Sequence, residues 1–145
     1  MGRSRGQRRP PVTLAIDNLS HEGRGVGRVE GKTTFVFGAL PGETVEAQIT
    51  RRKASFDEAE TLSVAVGSDA RITPRCPHFG VCGGCSMQHM NETAQLAHKQ
   101  KVLLELLHHQ GEVIPRRVAR PLTGPQWGYR RKARMGLKRV EKKAE

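Results

Sequence analysis

The chemistry-bearing residues of this 145-residue chain concentrate in one phrase, CPHFGVCGGCSMQHM, at residues 76–90. Cys76, Cys82 and Cys85 are its three cysteines, and all that the chain has, at the spacing C-x5-C-x2-C. Thiolates are soft ligands that suit zinc or iron-sulfur clusters, and three so close together converge if the backbone between them turns sharply. Gly83 and Gly84 supply such a bend, and backbone N–H groups aimed at sulfur favour its anionic form. An odd number of cysteines leaves one unpaired in any disulfide framework, so metal ligation in a reducing compartment is the expectation.

The residues alone leave the metal open. A zinc site of three cysteines and one histidine completes itself locally, with His89 or His78 as the nitrogen ligand. A 4Fe-4S cluster takes three ligands here and needs a fourth cysteine that the chain does not contain. A redox C-x-x-C at Cys82 and Cys85 lacks the strand and helix that normally flank one. A structural role for the thiols without metal is the fourth reading.

The elements that must position these thiols come before and after them. Residues 12–67 read as five short strands separated by glycine turns. VTLAIDNLS alternates Val12, Leu14 and Ile16 against Thr13, Ala15 and Asp17, the period of a half-buried strand. HEGRGVGRVEG gives a tight turn and a strand approached closely by another backbone. TTFVFG, ETVEAQITRRK (Val45, Ala47 and Ile49 inward) and DEAETLSVAV complete the set. Strands this short, joined by tight turns, bury their apolar faces by curling into a small OB-like barrel, so the fold class is mainly β. An open five-stranded meander is the alternative.

Residues 68–90 form the cysteine-rich segment, and residues 91–145 begin with a helix. Asn91 is its expected N-cap and Gly111 its stop, with Leu96, Leu103, Leu104 and Leu107 on one face as a packing stripe. PLTGPQWG is loop chemistry, and from Arg130 the alternation of Ala133, Met135 and Leu137 predicts a strand opening a second α+β region.

A formal charge of +11 exceeds what solubility needs and points to a polyanion, with RNA preferred over a membrane surface. Residues 1–11 read as a disordered basic arm without the apolar core of a signal peptide, and no stretch is apolar enough to span a bilayer. The expectation is a soluble, cytoplasmic monomer. For single-stranded RNA the stacking candidates are Phe35 and Phe37, which equally suit core packing. Arg24, Arg28, Lys32, Arg51, Arg52 and Lys53 are candidates for an electrostatic track beside them. Arg130, Arg131, Lys132 and Arg134 form the densest basic run, with Trp127 and Tyr129 adding planar surfaces. Arginine pairs with phosphate through two parallel hydrogen bonds, which suits this composition.

The cysteine phrase, preceded by a glycine-rich small barrel and followed by a helix and WGYRRKARMGL, resembles the N-terminal part of bacterial RNA uracil-C5-methyltransferases, the 23S rRNA enzymes above all. The resemblance implies that the barrel is a TRAM domain and that Cys76, Cys82 and Cys85 are three ligands of a 4Fe-4S cluster, with the fourth beyond this sequence. It further implies S-adenosylmethionine as cofactor of the complete enzyme, bound in a Rossmann-like domain. GRGVGRVEG is not followed by a helix and does not make that dinucleotide fingerprint. No catalytic residue is assigned here, since a thiolate committed to metal is not free to attack carbon. The alternative is a stand-alone TRAM-type RNA-binding protein with a zinc site.

Overall fold

A computed structural model describes residues 10–132 and residue 134. The chain divides into two compact units, Met1–Ile114 and Pro115–Glu145. In the first, five strands precede one helix: β1 (Val12–Leu19), β2 (Gly25–Val29), β3 (Lys32–Phe37), β4 (Thr44–Arg52), β5 (Phe56–Val66) and α1 (Glu92–His109).

The strands close into a barrel in the order β1-β2-β3-β5-β4, with β4 returning to β1. All neighbours are antiparallel except β3 and β5, which run parallel. Closure leaves each strand paired on both sides and gives the apolar alternation a single interior. Leu14 and Ile16 of β1, Val36 of β3, Val45 and Ala47 of β4 and Ala59 of β5 meet there. The inward alternation expected for β4 stops short of Ile49, which is half-buried, because the register with β5 shifts between Ile49 and Arg51 and turns the strand's end outward.

The glycine density of β2 has a steric cause. A Cβ on Gly27 would stand 2.3 Å from the Ala15 carbonyl oxygen, so glycine is what lets β1 lie this close, beside the register shift at Ile16 and Asn18. The β2–β3 hairpin turns on Glu30 and Gly31, both left-handed, at φ 51° and 80°. Two such residues match the twist of the flanking strands.

Past the barrel, residues 72–89 make a loop closed at its neck. Arg71 and Met90 form an antiparallel bridge, Ile72 N–H donates to the His89 carbonyl at 3.0 Å, and Asn91 N–H donates to the Ala70 carbonyl at 2.8 Å. Met90 is buried with Leu19 and Leu40, and Ala70, Met87 and Ala94 pack around them. A buried ion pair pins this neck to the barrel. The Glu43 carboxylate, 1% exposed, is held by the Arg71 guanidinium in a two-point contact and accepts from the Leu40 amide at 2.8 Å. Arg71 also donates to the Gly38 carbonyl at 2.7 Å.

α1 starts where expected, with the Asn91 side chain accepting from Ala94 N–H at 2.9 Å. It ends at His109, two residues before Gly111. The leucine stripe is not a core. No helix residue is buried, and Leu103 is 56% exposed. The helix is docked through residues 95–101 instead, by Gln95 Nε2 to the Met87 and Met90 carbonyls at 3.0 and 2.7 Å and by contacts of His98 and Lys101 to Ser20 and Asn18.

In the second unit, the described residues form neither helix nor strand and nearly all are exposed. The strand expected from Arg130 is absent at residues 130–132 and 134, and the rest of that alternating segment lies outside the described residues, as do nine of the eleven positions of the basic arm.

Candidate nucleic-acid interface

On β3 the inward positions are Thr34 and Val36, both fully buried, which turns Phe35 and Phe37 to the outer face of the barrel, half-buried. The two readings of these phenylalanines are thereby separated: they do not belong to the core cluster. The parallel register places Glu58 opposite Phe35 and Glu60 opposite Phe37. Phe56, at the start of β5, meets Phe35 edge to face with ring centroids 5.3 Å apart. Lys53 Nζ lies 4.8 Å from the Phe56 centroid, within cation–π range. One outer face therefore carries three aromatic rings.

This face opens into a pocket of about 300 Å³ lined by Arg24, Phe35, Phe37, Thr50, Glu58 and Glu60, with Gly80 of the thiol loop as a further wall. Arg51, Arg52 and Lys53 stand exposed at the neighbouring end of β4 and its turn. Part of the expected basic track serves the barrel itself. Lys32 pairs with the buried Asp57 at 2.6 Å, Arg52 approaches the same carboxylate at 3.8 Å, and Arg28 donates to the Gly31 carbonyl at 3.1 Å. Arg24 is shared between Glu22 at 3.3 Å and Glu58 at 3.7 Å. In the other unit Arg130, Arg131, Lys132 and Arg134 are exposed, with the Arg130 guanidinium 5.7 Å from the Tyr129 ring centroid.

The three thiols are carried by the one loop, residues 72–89. Cys76 is half-buried, Cys82 and Cys85 are exposed, and of the two glycines expected to turn the chain Gly83 is left-handed, at φ 70°. Cys82 N–H donates to the His78 carbonyl at 3.1 Å, and Cys76 N–H to the Gln88 side chain at 3.2 Å. A Cβ on Gly84 would stand 3.5 Å from Cys82 Sγ, in ordinary contact. The donor chemistry fits a thiolate-bound metal group. Among the described residues, however, no three His, Cys, Asp or Glu groups are gathered closely enough to hold an ion.

His89, one of the two nitrogen ligands considered for zinc, points elsewhere. It is 2% exposed, its ring stacks at a tilt on Phe79 with centroids 5.3 Å apart, and neither ring nitrogen has a hydrogen-bond partner among the described residues. Burial, reinforced by the Arg71 charge, lowers its pKa to about 4; Glu43 and the Ala39 backbone, which does not reach hydrogen-bonding geometry, oppose this more weakly. For Glu43 burial works upward, but the Arg71 guanidinium and the Leu40 and Ser68 amides outweigh it and hold the carboxyl below its ordinary value.

Sequence reasoning did not single out Phe56, Glu58, Glu60, Glu43 or Arg71. Phe56 had a readable cue, since it precedes an alternating strand. The two glutamates become neighbours of the phenylalanines only through the parallel β3–β5 register, and the Glu43–Arg71 pair joins residues 28 apart.

Residues 8–62, which span most of the barrel, match the family model described as TRAM domain. Almost the whole chain is similar to one kind of longer protein. It is 53% identical over 144 residues to the 23S rRNA (uracil(1939)-C(5))-methyltransferase RlmD of Alkalilimnicola ehrlichii, covering 99% of this chain and 32% of that protein. The enzymes of the same name from Xanthomonas oryzae pv. oryzae and Stenotrophomonas maltophilia are 53% and 52% identical, with 94% and 99% of this chain and 32% and 33% of theirs covered. The chain thus spans about a third of the length of the curated relatives it matches. These relatives carry the activity of the family that the cysteine phrase resembles. A solved structure of a conserved Methanococcus maripaludis protein is 26% identical over 37% of this chain and 77% of its own, with a TM-score of 0.36. Among the described residues no helix is long and apolar enough to cross a membrane.

Proposed function

We propose that this chain is the RNA-gripping portion of an S-adenosylmethionine-dependent 23S rRNA uracil-C5-methyltransferase, acting in the cytoplasm as a monomer. The observation that carries the proposal is the outward placement of Phe35 and Phe37 beside Arg51, Arg52 and Lys53, on a TRAM barrel whose whole chain is 53% identical to enzymes of that name. Aromatic faces stack on unpaired bases while arginine and lysine follow the phosphates. The exposed basic run Arg130, Arg131, Lys132 and Arg134 in the second unit offers further positive charge to RNA.

Cys76, Cys82 and Cys85 would hold three corners of a 4Fe-4S cluster, with a fourth ligand from outside these 145 residues. When bound, the cluster supplies iron–thiolate bonds that fix the shape of the loop. The chain's own residues prepare for it: the Glu43–Arg71 pair and the Arg71–Met90 bridge hold the loop's two ends, and Gly83 bends the segment between Cys82 and Cys85.

Binding of a uridine-rich single strand, followed by fluorescence anisotropy across a salt series, tests the RNA reading. If about six phosphates are neutralised, the log–log slope is roughly −4. Alanine at both Phe35 and Phe37 weakens binding without flattening that slope; a flat slope in the unaltered chain removes the proposal. Iron, sulfide and zinc analysis after anaerobic purification tests the metal. Brown protein with iron and sulfide supports the cluster, and colourless protein with one zinc overturns it. Cys82→Ser abolishes uptake of either and so tests ligation itself.

A further inference from the structure

We infer that the pocket between the outer face of the β3–β5 pair and the Gly80 turn is a base-selective subsite that takes one everted guanine of single-stranded RNA. The inference deepens the RNA-binding reading and rests on it. Phe35 and Phe37 stand two positions apart on β3, a separation of about 6.6 Å along a strand, roughly twice the thickness of an aromatic ring. That spacing leaves room for one planar base against them. The pocket's volume of about 300 Å³ is at the small end of ligand sites, which suits a single nucleotide.

The polar groups select the base. In a chain of formal charge +11, the outer side of this pocket is lined by two carboxylates, Glu58 and Glu60, each directly across the parallel register from one of the phenylalanines. Ionised carboxylates only accept hydrogen bonds, so they repel phosphate and call for an edge rich in donors. Glu58 is engaged by Arg24 at 3.7 Å, whereas Glu60 lies exposed beside Phe37. Guanine alone among the four bases offers two adjacent donors on its Watson–Crick edge, N1–H and the 2-amino group, matching the two oxygens of one carboxylate in parallel. Adenine and cytosine set an acceptor beside their amino group, and uracil flanks its single N–H with carbonyls, so each would turn a lone pair toward the second oxygen. An edge read in this way, on a base lifted out of its stack onto an aromatic side chain, is the usual mode of single-strand recognition. Arg24, which also lines the pocket, is held by Glu22 and Glu58 and offsets the Glu58 charge, leaving Glu60 as the carboxylate that reads the base. Gly80 closes the site from the thiol loop; even a Cβ there would sit 3.8 Å from the Phe37 ring, in ordinary contact.

The experiment compares uridine nonamers whose central residue is guanosine, inosine, adenosine, cytidine or uridine, titrated against the 145-residue chain at one fixed low salt concentration. The guanosine oligomer is expected to bind about tenfold tighter than all-uridine, the span one good bidentate pair gives, and inosine, which keeps N1–H but lacks the amino group, falls between. Glu60→Gln, an exposed isosteric change whose fold is checked by circular dichroism, brings the guanosine-to-uridine ratio to within about twofold. Equal affinities for all five oligomers while all-uridine still binds would overturn the subsite and leave the RNA reading standing. An undiminished guanosine preference in Glu60→Gln would do the same. Failure of every oligomer to bind would remove both.

Discussion

The barrel and α1 spend their apolar side chains differently. In the barrel, residues as small as Ala47 and Ala59 are buried to within a few per cent of completion, because five strands close on one another and each inward position finds neighbours from the others. In α1 no residue is buried, and Leu103 and Leu106 are 56% and 43% exposed, although the helix is 18 residues long and properly capped. Apart from Ala94 against the Leu19–Leu40–Met90 cluster, what fixes the helix is polar: the Asn91 cap, the two Gln95 bonds and the contacts to Ser20 and Asn18. Periodicity thus names the face that could be covered; closure decides whether it is. Between the two regions the Glu43–Arg71 pair acts as the fastener, since the barrel ends where Arg71 begins the thiol loop's neck.

The comparison predicts a descending series of effects. The largest belongs to the fastener. Glu43→Ala leaves the Arg71 charge without its buried partner and is expected to lower unfolding free energy by about 3–5 kcal/mol, read from urea melts by far-UV circular dichroism. Because Glu43 is held below its ordinary pKa of 4.5, its contribution is fully present above that value and is lost as the pH falls below it. Next comes His89. Folding keeps it neutral with a pKa of about 4 against 6.5 in the unfolded chain, so stability is complete above pH 6.5 and declines between 6.5 and 4 as the unfolded state gains the proton. The decline amounts to about 3 kcal/mol over that window, and His89→Phe, which preserves the stack on Phe79, should flatten it.

Gly27→Ala follows, at about 1–3 kcal/mol, since its Cβ meets a backbone oxygen that can move only if β1 and β2 part. Smallest is the pair Leu103→Lys and Leu106→Lys, expected to change stability by less than about 0.5 kcal/mol because both side chains are already exposed to water over about half their surface. A loss of several kcal/mol in this last variant would mean that the helix shares the barrel's core after all and would dissolve the contrast.

Much of the barrel was legible because strand alternation and glycine turns are local: Leu14 and Ile16, Val45 and Ala47, and the Asn91 cap all fall where their neighbours in sequence put them. The site was legible in part. Phe35 and Phe37 could be named, but whether they faced in or out turned on a strand phase set by Thr34, a polar residue that the barrel buries completely. Glu58, Glu60 and the Glu43–Arg71 pair were not legible, because parallel pairing and a long-range ion pair leave no spacing to read. The leucine stripe of α1 was legible as a pattern and misleading as a core, for burial depends on a partner surface and the stripe carries no information about one.

The length of β5 has a practical corollary for anyone excising this module. The TRAM match stops at residue 62, yet Ser63, Val64 and Val66 still pair with Glu46, Val45 and Thr44. A fragment trimmed at that border would lose the last rungs of the β4–β5 seam and leave Glu43 without its guanidinium. A piece that keeps every seam shut runs at least to Val66, and one that also keeps the Glu43–Arg71 pair and the Arg71–Met90 clasp carries the thiol loop with it.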